Sequence, residues 1–246
     1  MPIRFLRDIS GKDRSQPSNR RLGLSLAFVA GATNAGGFLA VQQYTSHMTG
    51  IVSHMADELA VGDIATVTTG LGGLLCFLGG AATTAALVNW ARRQNLQSAY
   101  AAPLMLEAAL LLLFGLLGHA FVDRNWMFVP ATVALLCYIM GLQNALITKA
   151  SNYEIRTTHV TGIVTDLGIE LGKLFYWNVA THEHRVLANR PKLRLLGGLL
   201  AMFFVGGVAG ALGFKRIGFV TTVPLALIVS LLAVVPIVDD LRDRLR

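Results

Sequence analysis

Residues 46–59 read S-H-M-T-G-I-V-S-H-M-A-D-E-L, and residues 158–171 read T-H-V-T-G-I-V-T-D-L-G-I-E-L. At a constant offset of 112, seven of the fourteen positions are identical: His47/His159, Thr49/Thr161, Gly50/Gly162, Ile51/Ile163, Val52/Val164, Glu58/Glu170 and Leu59/Leu171. Ser46/Thr158 and Ser53/Thr165 keep a hydroxyl. Upstream, G-A-T-N-A at 31–35 answers G-L-Q-N-A at 141–145, which pairs Asn34 with Asn144 across a two-residue insertion. Self-similarity at a fixed spacing is the mark of an internal duplication.

Composition says what surrounds the duplicated stretch. The chain is 54% hydrophobic and 14% charged, with a mean hydropathy of +0.56. A soluble domain carries about 25% charged residues. The deficit comes from six apolar runs (22–43, 64–90, 100–120, 128–148, 193–214 and 218–238), each near the roughly 20 residues that a spanning helix needs. The net charge of +7 does not point to nucleic acid, because Lys and Arg sit at the ends of the apolar runs rather than in one patch. With the N-terminus inside, 18 Lys and Arg fall on inner segments and three (Arg124, Lys215 and Arg216) on outer ones. The positive-inside rule then predicts both termini in the cytoplasm. Cys76 and Cys137 fall inside apolar runs and read as small core residues.

The duplication extends beyond the repeated motif. G-G-L-L at 72–75 with Gly79-Gly80 answers G-G-L-L at 197–200 with Gly206-Gly207, and P-L-M-L-E at 103–107 answers P-L-A-L-I at 224–228. Three spans per copy would turn the second copy over in the bilayer. The predicted fold is therefore an all-α polytopic membrane protein of about six transmembrane helices, arranged as two inverted three-helix repeats. Each repeat carries an extra short helix, 46–60 and 158–172, re-entrant or broken, with interfacial helices as the alternative. The expected order is a basic tail (1–21), a first repeat (22–120), a second repeat (128–238) and a short tail (239–246). Inverted repeats with interrupted segments are typical of secondary transporters, whose sites lie between the halves.

Candidate site residues follow from that frame. Thr49-Gly50 and Thr161-Gly162 resemble helix starts, where free N–H groups and the positive dipole end favour anions. The alternative is that Thr caps and Gly packs. Asn34, Gln143 and Asn144 are uncharged polar groups in spans 1 and 4, suited to a polar solute or to bonding across the repeats. Glu107 stands in an apolar span, which by default marks a functional residue. Its alternatives are snorkelling or pairing with a neighbour such as His47. His54 and Glu58 lie four apart on one helix face, answered by Asp166 and Glu170. Two carboxylates buried together could not both stay charged, so this pair, or Glu107, is the candidate for coupling to a proton or cation. T-H-E-H at 181–184 is not a zinc motif, and no phosphate loop or hydrolase elbow occurs. No cofactor, metal or enzymatic activity is expected.

The G-x-T-N-A…T-S-H-M-T-G-I-V first half and the G-L-Q-N-A…R-T-T-H-V-T-G-I-V-T-D-L-G second half resemble the YoaK-type bacterial inner-membrane family, over roughly 22–238. The resemblance implies a small multi-pass membrane protein whose domain has no assigned function. One departure is that Ile51 follows Gly50 where the family often has Asn. The residues and the resemblance together predict a transporter or facilitator for a small polar or anionic solute, embedded in lipid and able to form homo-oligomers. The alternative is a non-transporting membrane protein that binds a partner, senses or assembles.

Overall fold

The computed structural model describes residues 15–121, 125–177 and 185–244, all of them in helices and their connections. The helices are α1 (Gln16–Val41), α2 (Met48–Val61), α3 (Ile64–Arg93), α4 (Ala101–Phe121), α5 (Asn125–Ala150), α6 (Val160–Phe175), α7 (Arg190–Ile217) and α8 (Thr222–Arg244), with a 3₁₀ turn at Gly218–Thr221. Five segments are long and apolar enough to cross a membrane. The last, Arg190–Val238, holds both α7 and α8. The six apolar runs thus appear as six long helices. The T-H-E-H stretch at 181–184 lies outside the described residues.

Local chemistry sets the ends. Ser15 Oγ accepts from the Ser18 N–H and Pro17 sits in the first turn, so α1 begins six residues before its apolar run, inside the stretch expected to be tail. Asp63 Oδ1 accepts from the Thr66 N–H at 3.1 Å to start α3, and Asn189 Oδ1 from the Lys192 N–H at 3.0 Å to start α7. Arg92 and Arg93 close α3 where cations suit the dipole. Gly218, with φ +63°, breaks the apolar run between α7 and α8.

The long helices pair across the duplication. The first helix of each half lies on the second helix of the other: α1 on α7, and α5 on α3. At both crossings glycines admit the partner's backbone. A Cβ on Gly31 would run into the Phe203 carbonyl and one on Gly206 into that of Phe28. In the other crossing, Gly141 meets the Phe77 carbonyl and Gly80 that of Tyr138. These contacts set the register at an offset of 126 in the second helices (Phe77/Phe203, Gly80/Gly206). This corrects the alignment of Gly79-Gly80 with Gly206-Gly207, because backbone approach tolerates one placement of the missing side chain. In a bilayer, where burial of apolar surface drives little association, such small-residue contacts hold helices together by dispersion.

α4 packs on α8 and α5. Phe114, Phe214 and Phe219 form an aromatic cluster there, with Phe114 and Phe219 edge-to-face at 5.5 Å. Leu22, Leu26, Leu104, Leu111, Leu136, Met140 and Leu146 are fully buried between the long helices. Leu75, Leu116, Phe204, Leu227 and Leu231 face outward and are more than half exposed, which gives the outer surface the apolar character of a lipid-facing one. Cys137 is buried and Cys76 half-buried, both free thiols.

Candidate functional site

The two copies of the T-H-x-T-G stretch fold alike. α2 starts at Met48 and α6 at Val160, so His47 and His159 are the N-caps and Thr-Gly falls in the first turn, not before it. Neither histidine makes a side-chain cap bond. Each imidazole instead folds back over its own glycine, His47 over Gly50 and His159 over Gly162, and occupies the space that a Cβ would need. Ile51 and Ile163 anchor the two helices at 5% exposure each. Each short helix leans on the second long helix of its own half, α2 on α3 and α6 on α7.

Equivalent hydrogen bonds tie each turn to the first helix of its half. Ser46 Oγ donates to Asn34 Oδ1 at 3.0 Å, and Thr158 Oγ1 donates to Asn144 Oδ1 at 2.8 Å. Asn144 also donates from Nδ2 to the Met140 carbonyl at 2.8 Å. The two asparagines thus position the two helix starts.

Both starts open into one cavity of about 850 Å³. Asn34, Thr49, Asn144 and Thr161 line it, as the sequence led us to expect. So do His47, His159, Ser46 and Thr158, together with Phe77 and Phe203 at equivalent positions of the two halves. Sequence reasoning passed over Tyr44 and Arg156, which also line it. They occupy matching places three residues before His47 and His159, and adjacency to the motif was the signal available.

Several expected members lie elsewhere. Gly50 faces a recess of about 520 Å³ beside α2 and α3, with His54. Gly162 faces one of about 270 Å³ with Asp166. One residue of helix turns the chain about 100°, so the glycine after each cavity-facing threonine points away from the cavity. Asp166 and Glu170 are not a charge-sharing pair. Asp166 is half-exposed and pairs with Lys192 at 3.1 Å, while Glu170 accepts from Lys173 Nζ at 2.8 Å and from the Asn189 N–H at 2.7 Å. Each carboxylate has its own cation: Lys173 on α6 itself for Glu170, and Lys192 at the start of α7 for Asp166. The Lys173 and Asn189 donors hold Glu170 below the usual carboxylate range. His54 and Glu58 do pair, at 3.6 Å, on an exposed face outside the central cavity.

Glu107 and Gln143 form a second, separate feature. Both are fully buried, and Gln143 Nε2 donates to Glu107 Oε1 at 2.7 Å. Neither lines the cavity, although Gly141 and Asn144 on the same helix do. Glu107 Oε2 and Gln143 Oε1 are buried without a partner. The partner expected from sequence, His47, is on the cavity wall instead. Among the described residues no cluster of three His, Cys, Asp or Glu could hold a metal ion.

A family model described as Protein of unknown function (DUF1275) matches residues 22–235, most of the chain and both copies of the motif. The chain belongs to this family. The match agrees with the YoaK-type resemblance carried by the paired motifs. Comparison with curated proteins and with solved structures finds no match.

Proposed function

We propose that this chain is a secondary transporter or facilitator of a small polar or anionic solute, with its site in the cavity between the two halves. The observation that carries the reading is that equivalent residues of both halves (Asn34 and Asn144, Thr49 and Thr161, His47 and His159) converge on one cavity. Structural binding of a partner would not require a shared, hollow, polar centre.

In this reading the halves are inverted repeats in a bacterial inner membrane, both termini cytoplasmic, with α2 and α6 as half-helices whose starts meet near the midplane. Three long helices per half and the 18-to-three partition of Lys and Arg support it. Non-helical backbone at that depth is tolerated where it lines a wet cavity, as the 42–47 and 151–159 turns do. Rocking of one half against the other at the glycine crossings would open the cavity alternately to each side. The Glu107–Gln143 pair, one layer behind Asn144, is the place for a coupled proton, and the protein is not an enzyme.

The test is thermal unfolding of the detergent-purified protein against a panel of metabolites and ions. A ligand bound only by the folded state stabilises it by about 2.7 kcal/mol at 100 times its dissociation constant. A stabilising solute whose effect is lost in Thr161→Val, and which that protein then carries into proteoliposomes, supports the proposal. A solute that binds but is not carried returns the chain to a sensory or partner-binding role.

A further inference from the structure

Six equivalent pairs of residues give the central cavity similar walls, and a seventh pair differs in charge. Tyr44 and Arg156 occupy equivalent places, three residues before His47 and His159, and both line it. A duplicated site is thereby polarised, with a phenol at the α2 end and a guanidinium at the α6 end. Resting on the reading of this cavity as a solute site, we infer that its ligand is a small organic monoanion, such as a monocarboxylate. Its charged head sits on Arg156 and the start of α6, and its body lies between Phe77 and Phe203.

Charge is the first reason. No Asp or Glu lines the cavity among the described residues, while Arg156 does. Arg156 also borders the 270 Å³ recess that holds Glu154 and Asp166. Neither acid forms an ion pair with it: Asp166 is held by Lys192 at 3.1 Å, and Glu154 accepts from Gln16 Nε2 at 3.4 Å. The guanidinium therefore keeps its fork of donors for a planar carboxylate, which it matches bidentately.

Backbone is the second reason. Met48 and Thr49 at the start of α2, and Val160 and Thr161 at the start of α6, line the same cavity, and no side chain caps either helix. Each start carries about half a positive charge. A cation would face both of them and Arg156 together.

The walls decide between inorganic and organic anions. Met48, Phe77, Ala81, Ala145, Val160 and Phe203 present carbon to the space. A sulfate or phosphate needs hydrogen-bond donors on all sides and would lose hydration against these walls without replacement. A monocarboxylate needs them at one end only, and the apolar body gains from the rest. The volume, about 850 Å³, is that of a small-molecule pocket.

The experiment is a set of binding isotherms by thermal unfolding of the purified full chain. The probes are benzoate and hexanoate, their neutral amides, benzylammonium, and sodium sulfate. The result expected is saturable stabilisation by the carboxylates alone. Arg156→Gln should weaken it by about tenfold or more, since a charge-assisted bond contributes about 1.5–3 kcal/mol. Arg156→Lys should be intermediate. Arg156 is exposed, so both replacements keep the fold. Equal stabilisation by amide or ammonium, lost in Thr161→Val, would overturn the anion class and leave the solute site standing. Sulfate binding as tight as benzoate would overturn the organic body. Carboxylate binding unchanged in Arg156→Gln would overturn the head-group assignment. Silence from every probe would overturn the inference, and the wider panel above would then decide whether the solute site falls with it.

Discussion

The two glycine crossings and the two ends of the cavity come from the same duplication, yet the crossings share equivalent glycines while the cavity ends differ in charge. Gly31 meets the backbone of Phe203 as Gly141 meets that of Phe77, and Gly206 meets Phe28 as Gly80 meets Tyr138. The cavity ends instead carry Tyr44 against Arg156. Behind the wall, Gln143 stands where the first half has Thr33, and its partner Glu107 stands where the second has Ile228. At these four positions the approaching backbone leaves no room for a side chain, and both copies keep glycine. A side chain facing a cavity meets only what the cavity holds, so the copies can part there. Scaffold symmetry and site asymmetry together describe a duplicated frame whose central cavity differs at its two ends.

The comparison breaks most visibly at the crossings. Gly80→Leu and Gly206→Leu each force a side chain into a partner carbonyl, and each should cost about 3 kcal/mol or prevent folding. Unfolding in detergent, followed by size-exclusion profile, checks both. The two losses should be alike. A large loss in one with tolerance in the other would mean that the crossings are not equivalent.

Glu107→Ala should come next, destabilising by about 1–3 kcal/mol because it leaves Gln143 buried with its amide unanswered. Glu107→Gln keeps both a donor and an acceptor at the site, so it should recover most of that loss. If the two variants unfold alike, the Gln143 bond contributes nothing.

Removing the acceptors that hold the helix starts should cost less. Asn34→Ala and Asn144→Ala each delete one side-chain bond, to Ser46 and Thr158, for about 0.5–1.5 kcal/mol by the same unfolding measurement. The Asn144 loss should be the larger, since its amide also bonds the Met140 carbonyl.

The smallest effect expected is one of pH, and it belongs to the second half. Glu170 is held below its ordinary value of 4.5, first by Lys173 and then by the Asn189 N–H. A carboxylate lowered on folding contributes stability above its unfolded value and loses it as pH falls through the folded one. Wild type should therefore lose stability below about pH 4.5 more steeply than Glu170→Gln, as read from melting temperatures across that range. Parallel acid limbs would remove Glu170 from the contacts that hold α6 to α7.

Much of the architecture was legible in the residues. Apolar runs of spanning length predicted the long helices, because a chain with so few charges must satisfy its backbone internally. The repeated T-H-x-T-G stretch predicted two matching short helices, and Asn34 and Asn144 were found through their equivalence. Sequence spacing did less well with faces. It placed Gly50 and Gly162 beside their threonines on the site, although a helix turns adjacent residues apart. It joined Asp166 to Glu170 by their four-residue spacing, where α7 supplies each with a different donor. It put Glu107 on the cavity, whereas the structure buries it against Gln143, off the cavity wall.

The sequence by itself determined that this chain has membrane character, that it is duplicated, and that a Thr-Gly helix start recurs in each half. Those are properties of composition and of order along the chain, and no fold is needed to read them. The tertiary structure decided that the two starts share one cavity, that Arg156 rather than Glu107 stands at its edge, and that the buried acid faces Gln143. Such facts depend on which helix faces lie together, which is settled by packing between residues far apart along the chain, through four glycines that let backbones touch.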